Sequence, residues 1–437
     1  MRAVLLGQYL LPGGKRVEAG WGVVINNDKI EAIGENTVLR QKYGAYKVLD
    51  FKDKIICPGF VNTHMHAYGV LSHGITPPPG IDSFESFLND FWWPRIENRI
   101  DHRMIDIASR ISAWELLESG VTTFCDVLEA PNAIPGALKV EARALEEIGI
   151  RAVLSFEACE RLSRENGLAG LEENRSFYLS FKSHPTLSGM MCIHTTFTCS
   201  REFLSRAVET ARQIGSGIQL HLSESVYEPN RCLEKYGKLP VELYEELGLL
   251  GNDVLASQGV QLQSRELELL ENHGVNLAHV PLSNCEVGGG IAPVPDMLER
   301  GINVGLGTDG YINNFFEVMR GAFLIHKANR KNPAIMPAEV VFSLATENGG
   351  RALNQEIGVL YAGAEADLIT IDADVPTPIN KNNIFDQLIL YRNPEHVKEV
   401  FVGGRMVKEN GRLLGVNLHD IKEQVRLEAA RLWREES

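Results

Sequence analysis

The sequence predicts an α/β fold whose central part is a (β/α)8 barrel. From about residue 54 to 360, short apolar segments alternate with amphipathic helical patterns. Near-continuous apolar strands separated by helices indicate a parallel sheet that is buried on both faces. A doubly wound open sheet is the rival, but the first strand is not followed by a Gly-rich phosphate loop. Eight strands are predicted, at 55–64, 121–127, 151–158, 189–194, 217–222, 253–257, 275–280 and 302–307.

The intervening helices carry recognisable end signals. Apolar residues recur at helical spacing over 104–117, and Gly120 suits a left-handed helix end. Another helix is predicted over 201–214, with Ser200 as its N-cap. Helices of this kind between buried strands are the connections that a (β/α)8 barrel requires.

Both ends of the chain have a different, hairpin-like texture. The stretch VVINNDKIEAIG (23–34) predicts two strands joined by an Asn-Asp turn. Similar alternation returns at 366–374 and 397–414. We therefore expect a β-rich unit from residues 1–57 and 362–416, a barrel over 58–361, and a C-terminal helix over 417–437 that packs on the body.

Composition restricts the partners. The formal net charge of −14 disfavours nucleic acid and anionic membranes, because phosphates would be repelled. The longest apolar runs are strand-sized, and the first residues do not resemble a signal peptide. Seven scattered cysteines without a CxxC pair fit the reducing cytoplasm. We expect a cytoplasmic protein that acts on a small molecule.

Ligand-type side chains fall where barrel strands end. His64 and His66 lie two residues apart at the end of the first strand, so their side chains point the same way. His221 is near the end of the fifth strand, and Asp309 follows the eighth. Because active sites of such barrels lie at the carboxyl ends of the strands, these four residues predict one metal site. Nitrogen and oxygen ligands suit zinc, iron or manganese.

Three further residues are candidates for chemistry or binding. Glu224, three residues after His221, is placed to act as general acid/base for a metal-activated water. His194 ends the fourth strand and is a candidate substrate contact. Trp92 lies on the long segment after the first strand, which we expect to form a lid or a ring-binding wall.

The motifs together resemble those of the amidohydrolase superfamily. PGFVNTHMH, GVTTFCD, QLHLSES, SNCEVGGGIAPV and GLGTDG are similar to functional stretches of its aminohydrolase and chlorohydrolase branch, and GTDGYINNFFEVM is similar to SsnA-type aminohydrolases. The resemblance implies a TIM barrel with a β-sandwich built from both chain ends. It also implies one divalent metal, zinc before iron or manganese, held by His64, His66, His221 and Asp309. A homodimer is common in that family.

Gln258 departs from the family pattern. Relatives carry a catalytic histidine after the sixth strand, where this chain reads ASQGVQL. Glutamine exchanges hydrogen bonds but does not titrate near neutral pH, so the proton relay rests on Glu224 and Asp309. We take Gln258 as a substrate contact. Glu286, where relatives often have lysine, is a second departure.

The leading hypothesis is a hydrolytic deaminase of an amino-substituted nitrogen heterocycle, such as a purine or pterin. One alternative is a hydrolase of a cyclic amide or of a non-amino leaving group on a heterocycle. Another is a catalytically silent metal-binding scaffold, which Gln258 would permit.

Overall fold

The protein is described from a computed structural model, over residues 1–434. The strands, in chain order, are β1 (Arg2–Leu10), β2 (Glu18–Ala19), β3 (Trp21–Asn26), β4 (Lys29–Glu35), β5 (Lys47–Pro58), β6 (Phe60–Met65), β7 (Val121–Leu128), β8 (Arg151–Phe156), β9 (Leu187–Gly189), β10 (Met191–Cys192), β11 (Ile218–Leu222), β12 (Val254–Gln258), β13 (Asn276–His279), β14 (Val304–Leu306), β15 (Leu368–Asp372), β16 (Val397–Val402), β17 (Arg405–Glu409) and β18 (Arg412–Leu413).

The helices occupy most of the intervals between strands. They are α1 (Asn36–Lys42), α2 (Phe84–Ser86), α3 (Trp93–Arg95), α4 (His102–Glu118), α5 (Ala137–Ile148), α6 (Arg164–Phe181), α7 (Arg201–Ile214), α8 (Tyr227–Tyr236), α9 (Pro240–Glu246), α10 (Ser264–His273), α11 (Pro281–Glu286), α12 (Val294–Glu299), α13 (Phe315–Arg330), α14 (Ala338–Leu344), α15 (Glu347–Ala352), α16 (Ile384–Tyr391) and α17 (Leu418–Trp433). Short 3-10 helices cover Ala67–Ser72, Glu97–Arg99 and Pro394–His396, and a π-helix covers Phe87–Trp92. Within residues 1–434, no helix has the length and apolar character needed to cross a bilayer.

The central sheet is parallel, as the sequence predicted. Its strand order is β10-β11-β12-β13-β14-β6-β7-β8-β9, and every neighbouring pair is parallel. Strands β6, β7, β8 and β11 are buried along their whole length. Burial on both faces explains why these segments read as continuous apolar runs. The α/β class with a parallel sheet is therefore confirmed.

The predicted strand 189–194 differs from the structure. Two short strands, β9 and β10, replace it and pair with different neighbours. The strand is divided because the amides of two successive residues donate toward opposite neighbours: Met190 N donates to Leu154 O on one side, and Met191 N donates to Gly217 O on the other. The segment thus passes between β8 and β11 and is recognised as a strand only in pieces.

A second sheet combines both ends of the chain. Its order is β18-β17-β16-β15-β5-β1-β3-β4, with β2 paired to β1. The predicted hairpin over 23–34 is confirmed as β3 and β4, with Asn27 at φ 60° in the turn. Strand β5 ends at Pro58, and β6 begins two residues later, so this sheet leads directly into the parallel one.

The predicted helix ends are present. Helix α4 is followed by Gly120 at φ 89°, and Ser200 Oγ accepts from Phe203 N at the start of α7. Helix α17 packs against α4, and Trp433 Nε1 donates to Leu71 O over 2.7 Å. The last three residues of the predicted 417–437 helix lie outside the described residues. All seven cysteines are unpaired.

Candidate metal centre and catalytic cavity

The structure brings together the four residues that the sequence assigned to a metal. His64 lies in β6 and His66 directly follows it, while His221 lies in β11 and Asp309 follows β14. The ring centroid of His64 lies 4.9 Å from the ring centroid of His66 and 5.0 Å from that of His221. His66 Nε2 lies 3.3 Å from Asp309 Oδ1. Strands far apart in sequence therefore converge on one point at the end of the sheet.

The histidine nitrogens face each other. His66 Nδ1 lies 2.8 Å from Val127 O, and a carbonyl only accepts, so Nδ1 carries a proton and Nε2 is the atom that the neutral ring can offer to a metal. His66 Nε2 and His221 Nε2 are 3.2 Å apart. Tetrahedral zinc with bonds of about 2.0–2.1 Å separates its nitrogens by about 3.3 Å. His64 Nε2 is buried without a hydrogen-bond partner. This donor set fits a divalent ion.

Asp309 is held in place by three donors. Its Oδ2 accepts from Gln258 Nε2 over 2.8 Å and from Ser283 Oγ over 2.9 Å, and its Oδ1 accepts from Gly310 N. Burial opposes ionisation, but the nearby His66 and the other donors lower the pKa of Asp309 to about 2. Its backbone φ is 59°, a left-handed conformation. The carboxylate is therefore charged and oriented before an ion binds.

Gln258 is occupied by this same network. While its Nε2 donates to Asp309, its Oε1 accepts from Asn284 Nδ2 over 2.5 Å. The side chain lines the cavity but is only 2% exposed. The sequence suggested that Gln258 contacts the substrate. In the structure, its side-chain amide connects Asn284 to Asp309. Sequence analysis gave no indication of this connection.

Glu224 lines the cavity beside the histidines. Burial, followed by the negative charges of Asp309 and Glu129, raises the pKa of Glu224 well above its usual value. A carboxyl group of this kind can hold a proton at neutral pH. Its backbone is closely packed: a Cβ placed on Gly289 would lie 2.5 Å from Glu224 O. The GGG stretch of the SNCEVGGGIAPV motif thus allows the loop to approach Glu224.

The cavity beside these residues has a volume of about 360 Å³. The segment after β6 supplies an aromatic wall, as the sequence predicted for this long connection. Trp92 stacks on Phe87 at 5.5 Å, and Trp92 Nε1 donates to Tyr68 Oη over 3.4 Å. A π-helix over Phe87–Trp92 turns these rings toward the cavity. The aromatic residues of the wall are Phe84, Phe87, Phe91, Trp92 and Trp93.

His194 also lines the cavity. Its Nδ1 lies 2.8 Å from Thr198 Oγ1 and 3.6 Å from Glu157 Oε1. Burial and the neighbouring His221 lower the pKa of His194 well below its usual value, so the ring is neutral. A proton on Nδ1 that is donated to Thr198 Oγ1 leaves Nε2 as an acceptor.

Sequence analysis missed three buried carboxyl groups beside the centre: Glu97, Glu129 and Glu157. Glu157 Oε2 lies 3.4 Å from His221 Nδ1, on the side of the ring that faces away from the other histidines. Glu97 and Glu129 line the cavity. Glu129 directly follows strand β7, and Glu157 directly follows strand β8. Their position at the carboxyl ends of parallel strands was the signal that could have identified them.

The fold and this centre define a metal-dependent hydrolase. The Amidohydrolase family model matches residues 55–407, and the chain belongs to that family. It is 34% identical to 5'-deoxyadenosine deaminase of Methanosarcina acetivorans over 416 residues, which cover 94% of this chain and 93% of the relative. It is 33% identical to 5-methylthioadenosine/S-adenosylhomocysteine deaminase of Thermococcus sibiricus, covering 93% and 94%.

Solved structures share the fold. An adenosine deaminase from Xanthomonas campestris with bound zinc has a TM-score of 0.88 at 21% identity, covering 98% of both chains. Atrazine chlorohydrolase from Arthrobacter aurescens in complex with zinc has a TM-score of 0.84 at 19% identity, covering 98% of this chain and 100% of the other. The protein is an amidohydrolase-family enzyme that acts on carbon–nitrogen bonds, and the relatives support the hydrolytic deaminase predicted from the sequence.

Proposed function

We propose that the protein is a zinc-dependent deaminase of adenosine derivatives whose 5' position is modified. The observation that carries this proposal is the convergence of three histidine nitrogens and the Asp309 carboxylate beside a cavity that Glu224 lines. The curated relatives deaminate 5'-deoxyadenosine or methylthioadenosine and S-adenosylhomocysteine by name, which supports this choice among aminoheterocycles.

His64, His66, His221 and Asp309 would hold one zinc ion. When bound, the ion would supply Lewis acidity that activates a water toward the ring carbon bearing the amine. Once ionised beside the bound cation, Glu224 would accept a proton from the water on its carboxylate and deliver it to the substrate nitrogen. Ammonia leaves, and the ring carbon keeps the oxygen.

Three residues would orient the reactants. His194 Nε2 accepts a hydrogen bond from the heterocycle, and Trp92 covers one side of the cavity. Gln258 holds the Asp309 carboxylate in position and has one amide hydrogen left for the substrate. Because Gln258 cannot titrate, the proton passes through Glu224 and Asp309 alone.

The finer architecture belongs to the same proposal. A closed (β/α)8 barrel is supported by the parallel bridge between Ala158 and Ile193, which links the residues after β8 and β10. A separate β-sandwich from 1–57 and 362–416 is supported by the sheet that both chain ends share. We further propose a cytoplasmic homodimer without nucleic-acid or membrane partners, which light scattering of the purified protein and subcellular fractionation test.

Ammonia release tests the function. Zinc-loaded protein is incubated with 5'-deoxyadenosine, 5'-methylthioadenosine, guanine, an aminopterin ring and a chlorotriazine. We expect ammonia from the two nucleosides, with conversion of adenine to hypoxanthine. Chloride release from the triazine without ammonia from any amine would favour the alternative leaving-group hydrolase. Glu224→Gln serves as the inactive control.

A further inference from the structure

A buried carboxyl group lies behind the cavity without lining it. Glu228 is the second residue of α8 and is only 2% exposed. Its Oε1 accepts from Thr196 N and from Thr196 Oγ1, each over 2.9 Å, and its Oε2 accepts from Ser223 N over 2.6 Å. Tyr244 Oη donates to Oε1 over 3.5 Å. Burying a carboxylate is costly, and these donors offset that cost.

The hydrogen bonds are those of an ionised group. Burial raises the pKa of Glu228 to about 6, although the bonds from Thr196 and Ser223 act against this shift, so the group is a carboxylate at neutral pH. An ionised carboxylate accepts on both oxygens and donates on neither. An amide in the same place would turn its NH2 group toward one of its two partners.

The backbone amides that Glu228 binds belong to the two loops of the proposed reaction. Thr196 is two residues after His194, and Ser223 immediately precedes Glu224. The strands that lead into these loops are paired up to the point where His221 N donates to His194 O over 3.2 Å. Beyond that bond, the Glu228 side chain joins one loop to the other.

The backbone of Ser223 is left-handed, with φ at 48°. This conformation is unfavourable for residues other than glycine and persists only where the surroundings hold it. Here both sides of the residue are held. Ser223 N donates to Glu228, and Ser223 O accepts from Val260 N over 3.1 Å and from Gln261 N over 2.8 Å. Because Glu224 is the next residue, the turn at Ser223 sets the direction of the Glu224 side chain.

We propose that Glu228 is a positioning residue for the reaction: its carboxylate joins the two loops and keeps Glu224 and His194 in a fixed arrangement. This inference rests on the proposed function, in which Glu224 transfers the proton and His194 contacts the heterocycle. Glu228 does not line the cavity, so it acts through these two residues. Placement matters at this scale, because a shift of about 1 Å in a reacting group can lower a rate about 100-fold.

Glu228→Gln breaks one side of this connection. The new side chain has one carbonyl oxygen, which faces Thr196 because Thr196 presents two donors, and its NH2 group then faces Ser223 N. We expect kcat for ammonia release from 5'-deoxyadenosine to fall by about 10- to 100-fold through Glu224, with KM and zinc content nearly unchanged. An unchanged kcat would overturn the proposal.

The matched control is Glu173→Gln. Glu173 is also buried, and its two oxygens accept from Gly136 N over 2.9 Å and from Leu138 N over 3.0 Å, at the start of α5 and away from the cavity. Both variants should be less stable to urea, since each leaves a buried amide facing a donor. Only Glu228→Gln should lose kcat. An equal loss of kcat in the control would show that weakened packing is the cause and that the proposal is wrong.

A double-mutant cycle tests whether Glu228 acts through Glu224. In the Glu224→Gln background, adding Glu228→Gln should leave the residual kcat unchanged. A further fall as large as in the single variant would place the effect elsewhere and overturn the proposal.

Thr196→Val tests the other side of the connection and remains informative if Glu228→Gln does not fold. It keeps the backbone amide and removes only the hydroxyl that donates to Glu228. We expect KM to rise through His194 while kcat stays the same. A KM equal to that of the unaltered protein would refute the link between Glu228 and His194.

Hydrogen exchange separates this inference from the function on which it rests. Mass spectrometry of the zinc-loaded protein should show faster exchange at Ser223 in Glu228→Gln, and faster exchange at 136–138 in Glu173→Gln. Unchanged exchange at Ser223 would overturn the inference whichever substrate the protein takes. Deamination with an unchanged kcat in Glu228→Gln would refute the inference and keep the deaminase. Faster exchange at Ser223 in a protein that deaminates no adenosine derivative would keep the joined loops and refute the adenosine deaminase.

Discussion

Replacing Gln258 by methionine removes the amide that holds Asp309 and keeps a side chain of similar length. Gln258 donates to Asp309 Oδ2 over 2.8 Å and accepts from Asn284 over 2.5 Å. A hydrogen bond to a charged group contributes about 1.5–3 kcal/mol and a neutral one about 1 kcal/mol. We therefore expect the free energy of unfolding to fall by about 2–4 kcal/mol in the metal-free variant.

Zinc affinity should fall as well. Losing a partner that orients a metal ligand typically weakens metal binding by about 10- to 100-fold. Ser283 and Gly310 still hold the Asp309 carboxylate, so binding is weakened and not abolished. The assay is competition for zinc between the protein and a fluorescent chelator of known affinity, and urea unfolding of the metal-free form measures stability.

The matched control is Gln261→Met. Gln261 Nε2 donates over 2.7 Å to Gly289 O, a backbone carbonyl away from the metal ligands. We expect this control to lose about 1 kcal/mol of stability and to keep its zinc affinity. If Gln258→Met binds zinc as tightly as the unaltered protein, Gln258 does not orient Asp309 and the reasoning fails.

Three other changes have defined outcomes. Glu224→Gln should lower kcat by about 10²-fold or more while zinc content stays constant, because general acid–base catalysis contributes that much; an unchanged kcat would assign the proton transfer elsewhere. Gly289→Ala should lower kcat by displacing Glu224, whereas Gly288→Asn, at φ 67° with open space around it, should leave kcat unchanged; equal effects would contradict the contact. His326 is buried against His279, and burial lowers its pKa from 6.5 to about 4. A depressed histidine pKa contributes stability above pH 6.5 that is lost as the pH falls through about 4, so urea unfolding of the metal-free protein should show a loss approaching about 3 kcal/mol that His326→Gln removes.

The sequence predicted the α/β class with its parallel sheet and the residues that converge at the candidate metal centre. Alternation of apolar strands with capped helices gave the parallel sheet, and the ends of those strands then gave His64, His66, His221 and Asp309. The carboxyl ends of parallel strands all lie at the same end of the sheet. The position of each residue at a strand end was therefore sufficient to predict that these residues lie close together.

Other parts of the site depend on packing that no local pattern contains. Gln258 ends β12 and Asn284 lies in α11, and whether Gln258 can join Asn284 to Asp309 depends on backbone conformations such as φ 77° at Gln258. Glu129 and Glu157 follow apolar strands as surface carboxylates also do. The segment after β6 contacts Glu129 through Tyr68, and its π-helix over Phe87–Trp92 has no sequence pattern of its own.

The most direct test of this account is ammonia release from 5'-deoxyadenosine by the protein loaded with one equivalent of zinc. We predict one ammonia for each adenine ring converted to hypoxanthine, with the activity lost on chelation and recovered when zinc is returned. A protein that binds zinc stoichiometrically but releases no ammonia from 5'-deoxyadenosine or 5'-methylthioadenosine would contradict the proposed function.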